Sequence, residues 1–171
     1  MRLMMKRALA LLMVLLLVFC MVACGKDGDT AESETDGTKT GFYIKSNGTK
    51  IVLGAPATAV LSALGEANSQ NELFDCGAGN SRMLYRYSSF DLYTMKSGES
   101  EVIDQIELKD DLSETDKGIC LGSKESEVTA AYGKADRTND GSLTYVSGAQ
   151  EMTFDIENGQ VVGIGLLRVT Q

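Results

Sequence analysis

IVLGAPATAVLSALGEA, residues 51–67, comes back 68 positions later as ICLGSKESEVTAAYGKA, residues 119–135. Ile51, Leu53, Gly54, Val60, Ala63, Gly65 and Ala67 meet Ile119, Leu121, Gly122, Val128, Ala131, Gly133 and Ala135. Ordinary composition would give about one identity over such a stretch. A unit written twice implies a repeated supersecondary structure whose copies bury each other's apolar faces. In both copies a glycine, Gly54 or Gly122, makes the joint between strand and helix. Pro56 suits the first helical turn of one copy, where its missing N–H costs nothing. Ser123 is the candidate cap of the other, with Glu125 and Glu127 near the positive end of the helix dipole. Gly65 and Gly133 are expected to close the helices in a left-handed conformation. Each helix has a single narrow apolar stripe, Val60, Leu61 and Leu64 or Val128, Ala131 and Tyr132. Helices this short cannot stand alone and must lie on a sheet.

The sheet is written after each helix. RMLYRY (82–87), FDLYTM (90–95) and VIDQIEL (102–108) read as strands in the first unit; SLTYVS (142–147), EMTFDI (151–156) and VVGIGLLRV (161–169) do so in the second. Met83, Tyr85 and Tyr87 share one face, as do Met152, Phe154 and Ile156. Asn158-Gly159 is a strong hairpin signal, and Asn47-Gly48 between FYIKS and TKIVL predicts another hairpin at the start of the folded unit. The expected fold class is therefore α+β: two tandem α-β-β-β repeats, about 42–112 and 113–171, with short helices packed on one face of an antiparallel sheet.

Before this domain the chain carries an export signal in residues 1–23. Arg2, Lys6 and Arg7 precede an apolar run from Ala8 to Val22 that is shorter than the roughly 20 residues of a membrane-crossing helix. Of the two cysteines near its end, Cys20 follows a phenylalanine too large for a signal-peptidase pocket. Cys24 follows Met21-Val22-Ala23 and ends in the required small residue. Met-Val-Ala-Cys resembles a bacterial lipobox, with Met21 in place of the usual leucine. The resemblance implies a diacylglyceryl group on Cys24 and a protein held by its acyl chains on the outer face of the cell membrane. Residues 24–41, rich in Gly, Thr, Asp and Glu, are too polar to bury and read as an acidic flexible tether.

Loss of the signal leaves 13 Lys+Arg against 24 Asp+Glu, a formal charge of about −11. That balance argues against a nucleic-acid partner, and it leaves the acyl group as the attachment to the bilayer. The chain contains no histidine and no CxxC spacing, so neither a Cys/His zinc site nor a histidine triad can be built. Cys76 and Cys120 are the two thiols of the domain, compatible with one disulfide or with two small buried residues. Asp110, Asp111, Glu114 and Asp116 cluster in KDDLSETDKG (109–118) without EF-hand spacing and read as a solvated acidic linker. No convergent nucleophile, base and charge-stabilising group is visible, so no enzyme activity, metal or cofactor is expected.

The order IxLG, helix, LG, a loop with Cys76, YxY, a central strand, IxL, DD, KGIxLGSxxxxVxxxYG and TFxxxNGxVxxI resembles beta-lactamase-inhibitor-protein-like lipoproteins of Gram-positive bacteria. There is a more distant architectural similarity to the small lipoprotein of the outer-membrane assembly machinery. These motifs are structural glycines and core aliphatics, so the resemblance implies the tandem architecture alone, with no inhibitor contact residue carried over. Candidate contact residues come from the aromatic set instead. Tyr85, Tyr87, Phe90 and Tyr93 lie on two adjacent strands beside Arg82 and Arg86, and Tyr with Arg is favoured at interface hot spots. Tyr85 and Tyr87 pack under the helices or line the open face. The expected function is a membrane-tethered, non-catalytic module that holds another extracytoplasmic protein through Tyr85, Arg86, Tyr87 and Tyr93. The alternative is an envelope sensor of a small molecule or cation.

Overall fold

The computed structural model describes residues 41–74, 81–97 and 99–169. The export signal, Cys24, nearly all of the tether and Cys76 lie outside them, and with Cys76 so does the question of its pairing with Cys120. The chain runs β1 (Tyr43–Ser46), β2 (Thr49–Val52), α1 (Ala57–Leu64), β3 (Ser69–Phe74), β4 (Ser81–Arg86), β5 (Phe90–Ser97), β6 (Ser100–Leu108) and β7 (Ser113–Thr115). It continues through α2 (Glu125–Tyr132), β8 (Arg137–Asn139), β9 (Ser142–Ser147), β10 (Gln150–Glu157) and β11 (Gln160–Arg168). The fold is α+β with antiparallel pairing. An eight-stranded sheet has the order β3-β4-β5-β6-β11-β10-β9-β8, and a three-stranded sheet has the order β2-β1-β7.

The strands form where apolar and polar residues alternate, and the turns form where the chemistry permits positive φ. Asn47-Gly48 and Asn158-Gly159 take φ values of 49° and 78°, and 52° and 75°, the mirror-image geometry that matches strand twist in a two-residue hairpin. Each of the two central strand pairs carries a bulge, between Tyr93 and Thr94 and between Asp155 and Ile156.

One face of the large sheet carries the core. Leu92, Ile103, Ile106, Met152, Phe154, Val161, Ile164 and Leu166 from the sheet meet Ala57 and Val60 of α1, Val128 of α2, and Ile44 and Ile51 of the small sheet. Both helices and the small sheet thus cover the same side. Tyr132, at the end of α2, lies 5.2 Å from Tyr145 and 5.3 Å from Phe154, ring centre to ring centre, and Phe42 closes the group at 5.9 Å. Aromatic pairs at such separations add to the burial of their area.

The helix ends differ from expectation in chemistry. Ser123 does not cap α2, because its hydroxyl is engaged one turn earlier, accepting the Cys120 N–H at 3.2 Å. The residue before the helix is Lys124, whose N–H donates to the Glu127 carboxylate at 2.7 Å. Gly65 and Gly133 do end the helices, but at ψ −164° and −150° rather than in the left-handed helical region. Positive φ with extended ψ is open to glycine almost alone. It turns the chain sharply from each helix toward the sheet.

KDDLSETDKG is not a solvated linker. Ser113 and Thr115 are fully buried in β7, which pairs with β1, and the Ser113 hydroxyl donates to Ser46 Oγ at 2.9 Å. The four acidic residues separate accordingly. Asp110 accepts the Leu112 N–H, Glu114 lies 3.7 Å from Lys45, and Asp116 accepts the Tyr132 hydroxyl at 2.6 Å.

Candidate functional site

Strand alternation divides the aromatic set. Tyr85 pairs with Leu92 and Leu92 with Ile106, both fully buried on the helix side, so Tyr85 and Tyr87 pack against the core beneath α1. The Tyr87 ring stacks on Phe90 at 4.8 Å and its hydroxyl donates to the Gly65 carbonyl at 3.2 Å. Leu84, in contrast, pairs with Tyr93, and Arg86 with Asp91. Arg82, Arg86 and Tyr93 therefore stand on the opposite face, where no described element packs. The four sequence-predicted contact residues are thus split two and two across the sheet.

On that free face the side chains form one connected network. Arg82 Nη2 donates to Gln105 Oε1 at 2.9 Å, Gln105 Nε2 to Glu107 Oε1 at 2.7 Å, and the Tyr93 hydroxyl to Glu107 Oε2 at 3.2 Å. The Arg82 guanidinium completes the ring, 5.2 Å from the centre of the Tyr93 ring. Arg82 and Arg168 share the Asp104 carboxylate at 3.0 and 3.5 Å, and neither Nε has a hydrogen-bond partner. Asp91 holds Lys109 at 2.7 Å and lies 3.9 Å from Arg86. Burial, followed by the charge of Glu107, which accepts its hydrogen bond, raises the Tyr93 hydroxyl above its ordinary pKa. Next to this network β11 presents Gly165, where nothing would meet a side chain, while the Asp155 side chain lies over Gly163. The centre of the face is a shallow floor.

Tyr85 and Tyr87 contribute to a different feature. Where α1 ends against β3 and β4, a half-open cleft of about 400 Å³ is lined by Leu61, Gly65, Glu66, Ala67, Asn68, Ser69, Gln70 and the two tyrosines. Burial and the neighbouring Glu101 carboxylate raise the Tyr85 hydroxyl above its ordinary pKa. No local sequence pattern marks this cleft, which depends on how far α1 stands from an edge strand.

Among the described residues no group of three or more Asp, Glu, Cys or His converges as a metal site. Cys120 is half-buried with its sulfur 3.7 Å from the Ser123 hydroxyl, and no base adjoins it. No family model, curated protein or solved structure matches this chain.

Proposed function

We propose that the chain is a lipid-anchored extracytoplasmic protein built from two tandem repeats that captures another protein on the free face of its large sheet. Paired hydrogen bonds support the duplication. Gly54 N–H donates to Ile103 O and Ile103 N–H to Ala55 O, as Gly122 N–H donates to Val161 O and Val161 N–H to Ser123 O. The Tyr87 hydroxyl reaches Gly65 O as the Tyr145 hydroxyl reaches Gly133 O. Such correspondence fits two copies of one unit joined edge to edge through β6 and β11.

The observation that carries the binding role is the Arg82–Gln105–Glu107–Tyr93 network beside the open floor at Gly165. Its side chains are held by one another before any partner arrives, which lowers the entropy cost of binding, and tyrosine and arginine are the types that dominate interface energetics.

Cross-linking in intact cells that express the full chain, followed by capture, tests this. A discrete protein partner is expected, and its recovery should fall more than about tenfold with the Tyr93→Ala, Arg86→Ala double substitution while the melting temperature holds within a few degrees. Failure to recover any partner, or recovery that the double variant leaves unchanged, rejects the reading. The anchor has its own test. Cys24→Ser is expected to move the chain from the membrane pellet to the soluble fraction, since attachment rests on acyl chains worth about 0.8 kcal/mol per buried methylene. Continued sedimentation of that variant with membranes rejects lipidation at Cys24.

A further inference from the structure

The cleft at the end of α1 does not follow from the fold alone. At the corresponding end of α2, Tyr132 packs against Tyr145, and Tyr145 is only 3% exposed. At the end of α1 the same position is Leu64, and Tyr85 and Tyr87 remain half-exposed on the wall of a 400 Å³ cleft. Among the described residues the lining contains one carboxylate, Glu66, and no basic side chain. The nearby Lys109 ammonium is held outside the lining by the Asp91 carboxylate at 2.7 Å and by the Tyr87 carbonyl. The last turn of α1 has no basic residue, so the negative end of its dipole meets only the Tyr87 hydroxyl, which donates to the Gly65 carbonyl. Aromatic faces, a carboxylate and a helix C-terminus all attract positive charge, and the apolar wall from Leu61 suits an alkyl stem.

We infer that this cleft binds an alkylammonium group, with its stem against Leu61 and its charge over the Tyr85 and Tyr87 rings, facing Glu66. The group comes from a free organic amine or from a lysine side chain of a peptide. The site lies on the opposite face from Tyr93, so it stands or falls independently of the partner-binding surface.

Amide NMR titration of the ¹⁵N-labelled full chain, in a maltoside detergent that carries no ammonium group, tests the inference. With n-butylammonium chloride, saturable shifts are expected at residues 61, 65–70, 85 and 87. Glu66→Gln, at an exposed position, should weaken binding about threefold, and Tyr85→Leu about tenfold. Circular dichroism melting establishes that each variant is folded. Tyr93→Ala should leave the titration unchanged. Tighter binding of an end-blocked Ala-Lys-Ala peptide than of n-butylammonium assigns the group to a peptide, and the reverse order to a free amine. Equal shifts from n-butanol or from potassium chloride would overturn the inference, as would folded Glu66→Gln that binds n-butylammonium as tightly as the native chain.

Discussion

Phe154→Ala is expected to cost about 3–5 kcal/mol of folding free energy, the range for removing a large aromatic from a packed core. Phe154 is fully buried, pairs across the sheet with Ile164 and Leu143, and lies 5.3 Å from Tyr132 and 5.8 Å from Tyr145. Its neighbours come from α2 and from the strands on either side of β10, so the void cannot close by shifting a single element. Against a typical domain stability of about 5–15 kcal/mol, the loss takes a large share. Urea unfolding is the measurement. The midpoint should fall with an unchanged slope, because the same surface is exposed when the chain unfolds. A single transition is expected to persist, since one continuous core joins residues from both halves of the large sheet. Phe154→Leu, which keeps most of the apolar volume, should recover more than half of the loss. A cost below about 1.5 kcal/mol for Phe154→Ala would show that this aromatic group is not the packed centre of the domain.

The features that can be read from sequence are those written in local chemistry. Asn158-Gly159 and Asn47-Gly48 specify their hairpins, and Met152-Thr-Phe154 specifies two residues that share one side of their strand. Three short strands were not legible, each for a physical reason. Ser69–Phe74 is an edge strand of Ser, Gln, Asn and Glu, whose side chains give no apolar alternation because both faces meet solvent. Arg137–Asn139 is exposed throughout, although Asp140-Gly141, with φ of 39° and 84°, carries the turn signal that marks its pairing with β9. Ser113–Thr115 looked like solvated linker because its buried residues are hydroxylic. Their burial is stabilised by mutual hydrogen bonds, and hydropathy does not register those.

The candidate surfaces were half legible. Strand alternation puts Tyr85 with Tyr87 and separates both from Arg86, but alternation alone does not say which face the helices cover. The answer depends on long-range pairing, since β6 meets β11 across the join between the two halves of the chain. That pairing sets Gln105 opposite Leu167 and brings Arg168 within 3.5 Å of Asp104, a contact across 64 positions of chain, while the Arg82–Gln105–Glu107–Tyr93 network is assembled by the pairing of β4, β5 and β6. The cleft is less legible still, because α1 ends on Leu64 where α2 ends on Tyr132, and the room this leaves is reported by no local pattern.

That same difference at Tyr132 makes the stability of the domain depend on alkaline pH. The Tyr132 hydroxyl donates to Asp116 at 2.6 Å, and its ring is packed among Phe42, Tyr145 and Phe154. Burial first, and then the hydrogen bond to Asp116, push its pKa far above the ordinary tyrosine value. In the unfolded chain the same group ionises near pH 10. Below that pH both states hold the proton and stability is unaffected. Above it the unfolded chain releases a proton that the folded chain retains, so stability falls by about 1.4 kcal/mol per pH unit for this one group. Tyr85, Tyr87, Tyr93 and Tyr145 are shifted in the same direction and steepen the fall. Tyr132→Phe removes one proton from this linkage while giving up a hydrogen bond worth about 1 kcal/mol at neutral pH. The variant should therefore be the less stable protein at pH 7 and should approach the native chain near pH 11, with an alkaline slope shallower by about one proton. Urea midpoints measured from pH 7 to pH 11.5 on both chains decide the matter. Parallel alkaline slopes would mean that Tyr132 ionises in the folded state as readily as in the unfolded one, and that its contact with Asp116 does not hold the proton.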